Sequence, residues 1–320
     1  MNSFGNRFRV ELFGASHAPE VGVDIWGIPD SINPCDLDFN TPLARRKGGS
    51  AWTTPRVEED IPLFEDLRAD GGPFRIRFEN RNVRSEDYSG FKDIPRPGHA
   101  DFTSLVKYGR TFPGGGIFSG RMTLPLVAAG VVAQAIISPA VIRASLVEVG
   151  GISCSDGEAV RQALGKAAEE GDSLGAVVRC VCEGIPAGLG EPFFDSLESV
   201  ISHAVFSVPG IRGIEFGDGF AAAAMRGSQH NDPFIDASGH TSKNGCGGIN
   251  GGISNGNPII FNVAVKPTST IRKIQQTFNF AEGKMAELSA GGRHDVCFAL
   301  RVPPVIEAVT AIALTDFIIK

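Results

Sequence analysis

The sequence predicts a single α+β domain, residues 1–320, in which sheets are packed with helices. Strand patterns dominate the first 80 residues, whereas strands and helices alternate further along the chain. No Gly-x-Gly-x-x-Gly motif follows the first strand, which argues against a doubly wound parallel sheet. No linker rich in proline and serine and no repeat of fixed period divides the chain, so we expect one domain.

Three N-terminal segments alternate apolar with polar residues, a pattern that predicts half-buried strands. Their inward-facing positions are Phe8, Val10 and Leu12, then Val21, Val23 and Ile25, and then Phe74, Ile76 and Phe78. Two later strands are predicted at residues 177–182 and 258–265. Each N-terminal strand therefore has one polar face.

Two apolar helices are predicted, one in the middle and one at the end of the chain. The apolar run 124–137 has about 14 residues, fewer than the roughly 20 that a bilayer span needs, so we expect a buried core helix. A proline pair at 303–304 predicts the start of the last helix. Its inward face is expected to hold Val305, Ala308, Val309, Ile312 and Ala313.

Capping signals predict two further helices. A serine or aspartate followed three residues later by a glutamate is typical of a capping box at a helix N-terminus. Ser155 with Glu158 fits this pattern, and Asp195 with Glu198 repeats it. We therefore expect Ser155 and Asp195 to be the N-caps of these helices.

The composition indicates a soluble globular protein with many tight turns. Hydrophobic residues make up 42% of the chain and charged residues 21%, which is ordinary, but the 40 glycines are about twice the usual share. The N-terminus Met-Asn-Ser-Phe-Gly lacks the apolar segment of a signal peptide and no Cys-x-x-Cys pair occurs, so we expect no signal peptide and reduced thiols in a cytoplasmic protein. The six cysteines are Cys35, Cys154, Cys180, Cys182, Cys246 and Cys297.

The charges are unevenly distributed along the chain. The net charge of −6 argues against a dedicated nucleic-acid binder. Residues 45–121 nevertheless carry 14 Lys and Arg against 11 Asp and Glu, and the rest of the chain carries 16 against 25. This pattern is typical of a small polyanionic ligand held in a cleft, although a solvated arginine-rich surface would have the same composition.

The most informative motif is Arg96-Pro97-Gly98-His99-Ala100-Asp101. A histidine has its ordinary pKa in the neutral range, so His99 beside Arg96 could hold an anion and move a proton. A turn with a surface histidine is the alternative, because Pro-Gly is common in turns. These six residues alone do not decide between the two.

Four other clusters carry side chains suited to anions. Arginine offers forked donors for phosphate and carboxylate, and backbone N–H groups exposed by glycine can cradle a phosphate. The spacing of a Walker A loop is absent, and we expect no metal site. The clusters are Gly14 to His17, Arg45-Arg46-Lys47 with Arg56, Glu58 and Asp60, the glycine-dense stretch 244–254 leading to Lys266 to Thr270, and Gly292-Arg293-His294-Asp295.

The order and wording of these clusters resemble the chorismate synthase family almost from end to end. The matching stretches include Asn2-Ser3-Phe4-Gly5, Gly14-Ala15-Ser16-His17, Arg45-Arg46-Lys47, Arg56 with Glu58 and Asp60, Asp87-Tyr88-Ser89, Arg96 to Asp101, Lys107-Tyr108-Gly109, Gly114-Gly115-Gly116, Gly171-Asp172-Ser173, Ile185 to Pro192, Gly213 to Phe220, Lys266-Pro267-Thr268 and Gly292-Arg293-His294-Asp295. So many ordered matches do not arise by chance. The resemblance implies a β-α-β sandwich of sheets packed with helices.

The resemblance also implies an activity. The family consists of lyases of the shikimate pathway, in aromatic amino acid biosynthesis, that eliminate phosphate from 5-enolpyruvylshikimate 3-phosphate to give chorismate. These enzymes need reduced FMN although no net redox change occurs. The resemblance implies a cytoplasmic homotetramer that binds a small phosphorylated substrate and neither nucleic acid nor membrane. It leaves open whether NADPH reduces the flavin on the protein or an outside reductant does so.

The resemblance assigns roles to individual residues. The catalytic residues would be His17, protonating the departing phosphate, His99, exchanging a proton with the flavin, and Asp295, assisting proton removal from a substrate carbon. Flavin contacts would come from Ser119, Gly251, Lys266, Pro267, Thr268, Ser269, Thr270 and Arg293. Substrate contacts would come from Arg45, Arg46, Arg96 and Arg121.

The chain departs from the family pattern at several positions. Ile117-Phe118 stands where the family usually has Arg-Ser, Ala51 replaces a further arginine, and the chain is shorter around 66–72 and 138–150. Two missing cations could cost affinity for a highly charged ligand. The alternatives are therefore an FMN-dependent oxidoreductase or paralogue acting on a different anion, and a non-catalytic anion-binding scaffold.

Overall fold

Two five-stranded antiparallel sheets enclose a layer of helices. The computed structural model describes residues 2–49, 51–56, 58–82, 90–292 and 294–319. Both sheets contain only antiparallel pairs among these residues. This arrangement of strands and helices confirms the predicted α+β class.

The first sheet is built from the N-terminal strands. The strands are β1 (Ser3–Phe4), β2 (Arg9–Gly14), β3 (Glu20–Trp26), β4 (Leu63–Asp66) and β5 (Phe74–Glu79), in the spatial order β1-β2-β3-β5-β4. Val23 pairs with Leu12 on one side and with Ile76 on the other. The alternation therefore places one apolar face toward the helices, as predicted, and leaves the ion pair of Asp24 and Arg75 on the other face.

The second sheet has the order β7-β6-β8-β12-β9. Its strands are β6 (Val141–Val149), β7 (Ile152–Ser153), β8 (Ala176–Glu183), β9 (Ile211–Phe216) and β12 (Ile259–Val265). Two separate hairpins pair β10 (Ile249–Asn250) with β11 (Ile253–Ser254), and β13 (Gln275–Asn279) with β14 (Lys284–Leu288). The predicted strands 177–182 and 258–265 are thus β8 and β12.

Two apolar helices fill the space between the sheets. The α-helices within the described residues are α1 (Asn40–Arg46), α2 (Asp101–Tyr108), α3 (Thr123–Ile136), α4 (Gly157–Glu169), α5 (Leu197–Phe206), α6 (Gly227–His230) and α7 (Pro303–Ile318). Helix α3 packs on the first sheet, α7 packs on the second, and the two helices pack on each other. The buried residues of both sheets and of the helices between them form one continuous cluster, while the prediction of a single domain stays a prediction.

A close approach joins α3 and α7. A Cβ built on Gly130 would lie 2.3 Å from Cβ of Ala308, so the helices come together where α3 has no side chain. The predicted inward face of α7 is buried, but so are Ile306, Ala311 and Leu314 on other sides. Because α7 lies between α3 and a sheet, it is apolar on several sides rather than along a single stripe.

The two predicted N-caps are wrong by one residue. Asp156 caps α4 by accepting from the Ala159 N–H at 3.0 Å, and Ser196 caps α5 by accepting from Ser199. The capping oxygen must reach an N–H three residues ahead, which Asp156 and Ser196 do. The hydroxyl of Ser155 lies 2.9 Å from that of Ser153 instead.

The stretch Pro113–Ile136, which includes α3, has the length and apolar composition of a membrane span, and 72% of its most apolar part is buried inside the protein. Core helices have the same length and composition. The structure therefore agrees with the expectation of a buried core helix at this place.

Candidate active site

Loops from both sheets meet at a cavity of about 680 Å³. Its lining is rich in cations: eight Lys and Arg side chains face it together with three carboxylates, in a chain whose net charge is −6. The field inside such a cavity favours anions. The cations are Arg46, Lys47, Arg56, Arg96, Arg121, Arg212, Lys266 and Arg301, and the carboxylates are Glu58, Asp60 and Asp295.

One carboxylate, Asp60, holds two arginines of the cavity. Oδ2 of Asp60 accepts from Nη2 of Arg46 at 3.2 Å, and Oδ1 accepts a short hydrogen bond from Nη1 of Arg121. All three side chains are at most 5% exposed. Burial, and repulsion by Arg301 and Arg121, outweigh the attraction of Asp60 and lower the pKa of Arg46 to about 10, so Arg46 stays charged at neutral pH.

Neighbouring arginines of α1 have different surroundings. Successive residues of a helix project about 100° apart, so Arg45 and Arg46 point in different directions. Arg45 leaves the cavity and forms an ion pair with Glu307 of α7, with Nη1 2.6 Å from Oε2. Arg46 faces the cavity, where Nη1 donates to the hydroxyl of Thr123 at 3.2 Å.

A second buried network surrounds His99. Arg96 binds Asp101 through two nitrogens, with Nε donating to Oδ2 at 2.7 Å and Nη2 donating to Oδ1 at 2.8 Å. Nη1 of Arg96 donates to the hydroxyl of Thr270 at 3.1 Å, which connects this network to the loop after β12. Although burial alone would raise the pKa of Asp101, the hydrogen bonds from Arg96 and His99 hold it well below its ordinary value.

The contacts of His99 indicate which nitrogen carries its proton. Nδ1 of His99 lies 2.7 Å from Oδ1 of Asp101 and 3.1 Å from Nη2 of Arg96. The shorter contact to an acceptor favours a proton on Nδ1, which leaves a lone pair on Nε2. A Cβ built on Gly115 would lie 3.6 Å from this Nε2. Burial, aided by the charge of Arg96, lowers the pKa of His99, so the ring is neutral near pH 7.

Asp295 is held on both of its carboxylate oxygens. Oδ1 accepts from the Thr54 N–H at 2.9 Å, and Oδ2 accepts from Nη2 of Arg301 at 2.7 Å. The guanidinium of Arg301 in turn lies over the ring of Phe298, 5.3 Å from its centroid. Next to Asp295, burial lowers the pKa of His294. The cavity thus contains an immobilised carboxylate and two neutral imidazoles.

A lysine and a serine after β12 close another side of the cavity. Nζ of Lys266 donates to the Gly98 carbonyl and to the hydroxyl of Ser269, which lies 2.8 Å from the same carbonyl. Burial, followed by repulsion from Arg212, lowers the pKa of Lys266. These bonds bring the predicted flavin segment 266–270 next to the Arg96–Asp101 loop.

His17 lies against a run of three glycines, of which Gly114 lines the cavity. Gly114, Gly115 and Gly116 have φ values of 60°, 79° and 53°, a region that favours glycine. A Cβ on Gly114 would lie only 2.2 Å from Nε2 of His17, so His17 packs directly behind the loop. Ser16 fixes this contact by donating its hydroxyl to the Gly114 carbonyl at 3.0 Å.

The cavity also has polar atoms without partners. Among the described residues, four buried side-chain polar atoms have no hydrogen bond, and three belong to residues lining the cavity. A buried polar atom without a partner is costly unless a ligand satisfies it. These atoms are Nε of Arg46, Nε of Arg301 and Oγ1 of Thr268.

The structure brings most of the predicted site residues together. Lining the cavity are His99, Asp295, Ser119, Lys266, Pro267, Thr268, Ser269, Thr270, Arg46, Arg96 and Arg121. His17 lies behind the glycine loop. Arg45 and Gly251 are not part of the lining, and Gly251 lies in the turn between β10 and β11. Arg293, like the matched stretch 87–89, lies outside the described residues.

Several lining residues were not assigned to the site from the sequence, among them Arg301, His294 and Arg212. Arg301 follows Asp295 by six residues and binds it. His294 belongs to the cluster 292–295 but had no predicted role, and Arg212 lies at the start of β9. A sequence signal existed for His294 alone, because the other two lie in ordinary strand and helix patterns. Ile117 and Phe118, the departures from the family pattern, also line the cavity.

Comparison with known proteins places the chain among related sequences and structures. A family profile described as "Chorismate synthase" matches residues 8–319. A chorismate synthase of Chitinophaga pinensis is 54% identical, covering 100% of this chain and 97% of the relative. Relatives of the same description in Dehalococcoides mccartyi and Methanosarcina acetivorans are each 40% identical, covering 100% of this chain and 97% and 96% of their own. A "Crystal Structure of Chorismate Synthase" has a TM-score of 0.71 at 21% identity, covering 98% of this chain and 92% of that one.

The fold, the cation-lined cavity and these matches define an enzyme, a carbon–oxygen lyase. The chain belongs to the chorismate synthase family, as the resemblance predicted, and its sandwich of two sheets around helices is the fold of that family.

The chain is a short member. Its alignments with the 40% identical relatives extend over 352 positions, against 320 residues here. Two connections are correspondingly tight: the Leu67 N–H donates to the Pro73 carbonyl at 3.0 Å between β4 and β5, and Ala140 N–H donates to Ile137 between α3 and β6.

Proposed function

We propose that the cavity eliminates phosphate from 5-enolpyruvylshikimate 3-phosphate to give chorismate, with reduced FMN bound in the same cavity. The substrate carries two carboxylates and a phosphate, and FMN carries another phosphate. The observation that carries the proposal is the collection of eight cations around one cavity of a chorismate synthase family member. Charge-assisted hydrogen bonds from such groups stabilise bound anions.

The residues present fit a flavin and a phosphorylated substrate. The unpaired Nε atoms of Arg46 and Arg301 and the unpaired hydroxyl of Thr268 are donors among the described residues that ligand oxygens would satisfy. Lys266 and the 267–270 segment would hold the flavin, together with Ser119. Reduced FMN, when bound, supplies redox chemistry that leaves no net change of oxidation state.

The chain's own residues would bind the anions and move the protons. Arg46, Arg96 and Arg121 would orient the substrate and stabilise charge that develops on the leaving phosphate. His17, behind the glycine loop, would donate a proton to that phosphate. His99 is neutral and has its Nε2 lone pair available, so it can take up a proton and return it.

Asp295 would assist the loss of the proton from the substrate carbon, which accompanies the loss of phosphate. Its two oxygens accept hydrogen bonds from the Thr54 N–H and from Arg301, and both contacts fix its direction. A carboxylate held in this way assists removal of the hydrogen that leaves the substrate carbon.

The apolar side chains Ile117 and Phe118 keep a second candidate open. They line the cavity where the family pattern has an arginine and a serine, which favours an FMN-dependent oxidoreductase or paralogue acting on a different anion. The 54% identity to a chorismate synthase over the whole chain supports the first proposal instead.

A homotetramer in the cytoplasm, which the resemblance implies, belongs to the same proposal. Strongly exposed aromatic side chains support contact between copies of the chain, because aromatic residues are enriched at protein interfaces. These are Phe193, Phe194, Phe220 and Phe234, which are 87%, 93%, 86% and 73% exposed. Sedimentation velocity measures the assembly directly, and a monomer at micromolar concentration would contradict it.

The test is an anaerobic turnover assay with purified protein, the phosphorylated substrate and chemically reduced FMN. We expect chorismate to form. A parallel assay with oxidised FMN and NADPH shows whether the protein reduces its own flavin. Absence of product at every protein concentration with reduced FMN would contradict the proposal.

A further inference from the structure

Asp60 has a backbone conformation that is unusual for its residue type. Its φ is 56°, and among the described residues only Asp60 and Phe193 combine a positive φ with a side chain. Aspartate tolerates this left-handed region better than most residues, but it is still strained there. Strain of this kind persists where the surroundings fix it, which is common at functional sites.

The carboxylate of Asp60 bridges two cavity arginines, and its side chain is 2% exposed. Its two oxygens serve different guanidinium groups, Oδ2 for Arg46 and Oδ1 for Arg121. The left-handed backbone aims the carboxylate between the two cations. Without it, the two arginines would face each other with no negative charge between them.

Three of the other four nitrogens of these arginines are also directed by the protein. Nε of Arg121 donates to Oδ1 of Asn80 at 3.0 Å, and its Nη2 donates to the Glu79 carbonyl at 3.4 Å. Nη1 of Arg46 donates to Thr123, whereas Nε of Arg46 is buried without a partner. The protein therefore holds all three nitrogens of Arg121 and two nitrogens of Arg46, and it leaves Nε of Arg46 as an unpaired donor.

We propose that Asp60 is a positioning residue that fixes the Arg46–Arg121 pair in the geometry that binds the anionic substrate. This role rests on the proposed function of the cavity. Asp60 itself makes no contact with substrate in this account. It acts through Arg46, whose unpaired Nε is the donor left for a substrate oxygen.

The test compares Asp60→Asn and Asp60→Gly with the wild-type enzyme. Both replacements suit a left-handed backbone, and glycine removes the strain altogether. A residue needed only for the turn would therefore tolerate glycine. The matched control is Asp24→Asn, which breaks a carboxylate–arginine pair of 2.7 Å outside the cavity.

The readouts are KM and kcat for 5-enolpyruvylshikimate 3-phosphate with reduced FMN, and calorimetric binding of the same substrate. We expect both Asp60 variants to raise KM and the dissociation constant by about tenfold or more, because one charge-assisted contact loses its geometry. The change in kcat should be smaller, and Asp24→Asn should stay within about twofold of wild type. An unchanged or lower KM in a folded Asp60 variant would overturn the proposal. Asp60 would then serve only to neutralise the charge of the buried arginines.

Asp60→Asn is also tested in combination with Arg121→Gln, because removal of Asp60 alone leaves two buried cations and can unfold the protein. The double variant Asp60→Asn/Arg121→Gln loses one charge of each sign. The double variant should bind substrate about tenfold more weakly than Arg121→Gln alone, through Arg46, and equal binding would overturn the proposal. A wild-type enzyme that binds substrate without forming chorismate contradicts the proposed function, while the binding comparison still tests Asp60.

Discussion

Two histidine–aspartate pairs of the chain have similar geometry and different surroundings. Nδ1 of His99 lies 2.7 Å from Asp101, and Nδ1 of His230 lies 3.1 Å from Asp218. The carboxylate of the first pair is 3% exposed, whereas that of the second is 29% exposed. The first pair is bound by Arg96 and lies at the cavity, whereas the second lies beside the thiol of Cys246 and outside the cavity.

This difference shows what turns a common pair into a candidate catalytic group. Burial lowers the pKa of His99, and Arg96 fixes its carboxylate partner. His230 and Asp218 are more exposed, and no arginine of the described residues binds Asp218, although the hydrogen-bond pattern is similar. The surroundings of a histidine, rather than the pair itself, therefore decide whether it can exchange protons with a ligand.

Replacing each histidine should give the largest contrast. We expect His99→Gln to lower kcat by about a hundredfold or more, because general acid–base groups typically contribute that much. His230→Gln should leave kcat within about twofold, as expected of an exposed pair. Anaerobic steady-state kinetics measure both, and equal kcat values for the two variants would remove the distinction between the pairs.

Replacing the carboxylate of each pair should lower the free energy of unfolding by different amounts. Asp101→Asn leaves Arg96 buried without its charge partner, which should cost about 3 kcal/mol or more in free energy of unfolding. Asp218→Asn should cost less, about 1 kcal/mol, because 29% of its side chain is exposed to solvent. Urea denaturation followed by circular dichroism measures both values. If the two variants were equally stable, burial of the first pair would not matter.

A third histidine can be tested through the glycine loop. Gly114→Ala would push a Cβ to 2.2 Å from Nε2 of His17, whereas Gly109→Ala has a similar φ, 69°, and nothing within 4 Å. Both carry the same backbone strain, so a difference in kcat reports the displacement of His17. We expect Gly114→Ala to lower kcat by about tenfold relative to Gly109→Ala. Equal kcat values would separate His17 from the reaction.

The smallest expected effect is on the pH dependence of stability. The pKa of His99 lies below its ordinary 6.5, so as the pH falls below 6.5 the unfolded chain binds a proton before the folded one does. Through His99, the free energy of unfolding must then decrease as the pH falls through this range. His99→Gln should therefore make the decline of Tm below pH 6.5 shallower than it is in the wild type. A His99→Gln curve parallel to the wild type would contradict the lowered pKa.

Local patterns were sufficient to predict the main elements of the fold. Alternating residues predicted β2, β3 and β5, and the proline pair predicted the start of α7. The hairpin of β13 and β14 was not predicted, because its strands contain Gln, Asn, Lys and Glu and bury little. The layer of two buried helices was also not visible, because it depends on contacts between distant segments.

Site residues that belong to sequence motifs were predictable, whereas contacts that depend on the folded geometry were not. Arg45 and Arg46 look equivalent in the sequence, but the turn of α1 sends one to Glu307 and the other to Asp60. The bond between Arg301 and Asp295 depends on how the segment 295–301 folds back on itself. Such contacts follow from the fold, and no local pattern of residue types shows them.

The central claim is that the cavity performs an elimination with no net redox change, and the stoichiometry of the anaerobic reaction tests it most directly. With far less reduced FMN than substrate, phosphate and chorismate should form in equal amounts over many turnovers, and the flavin should end the reaction reduced. One flavin oxidised per product, or product that retains its phosphate, would contradict the claim and favour an oxidoreductase.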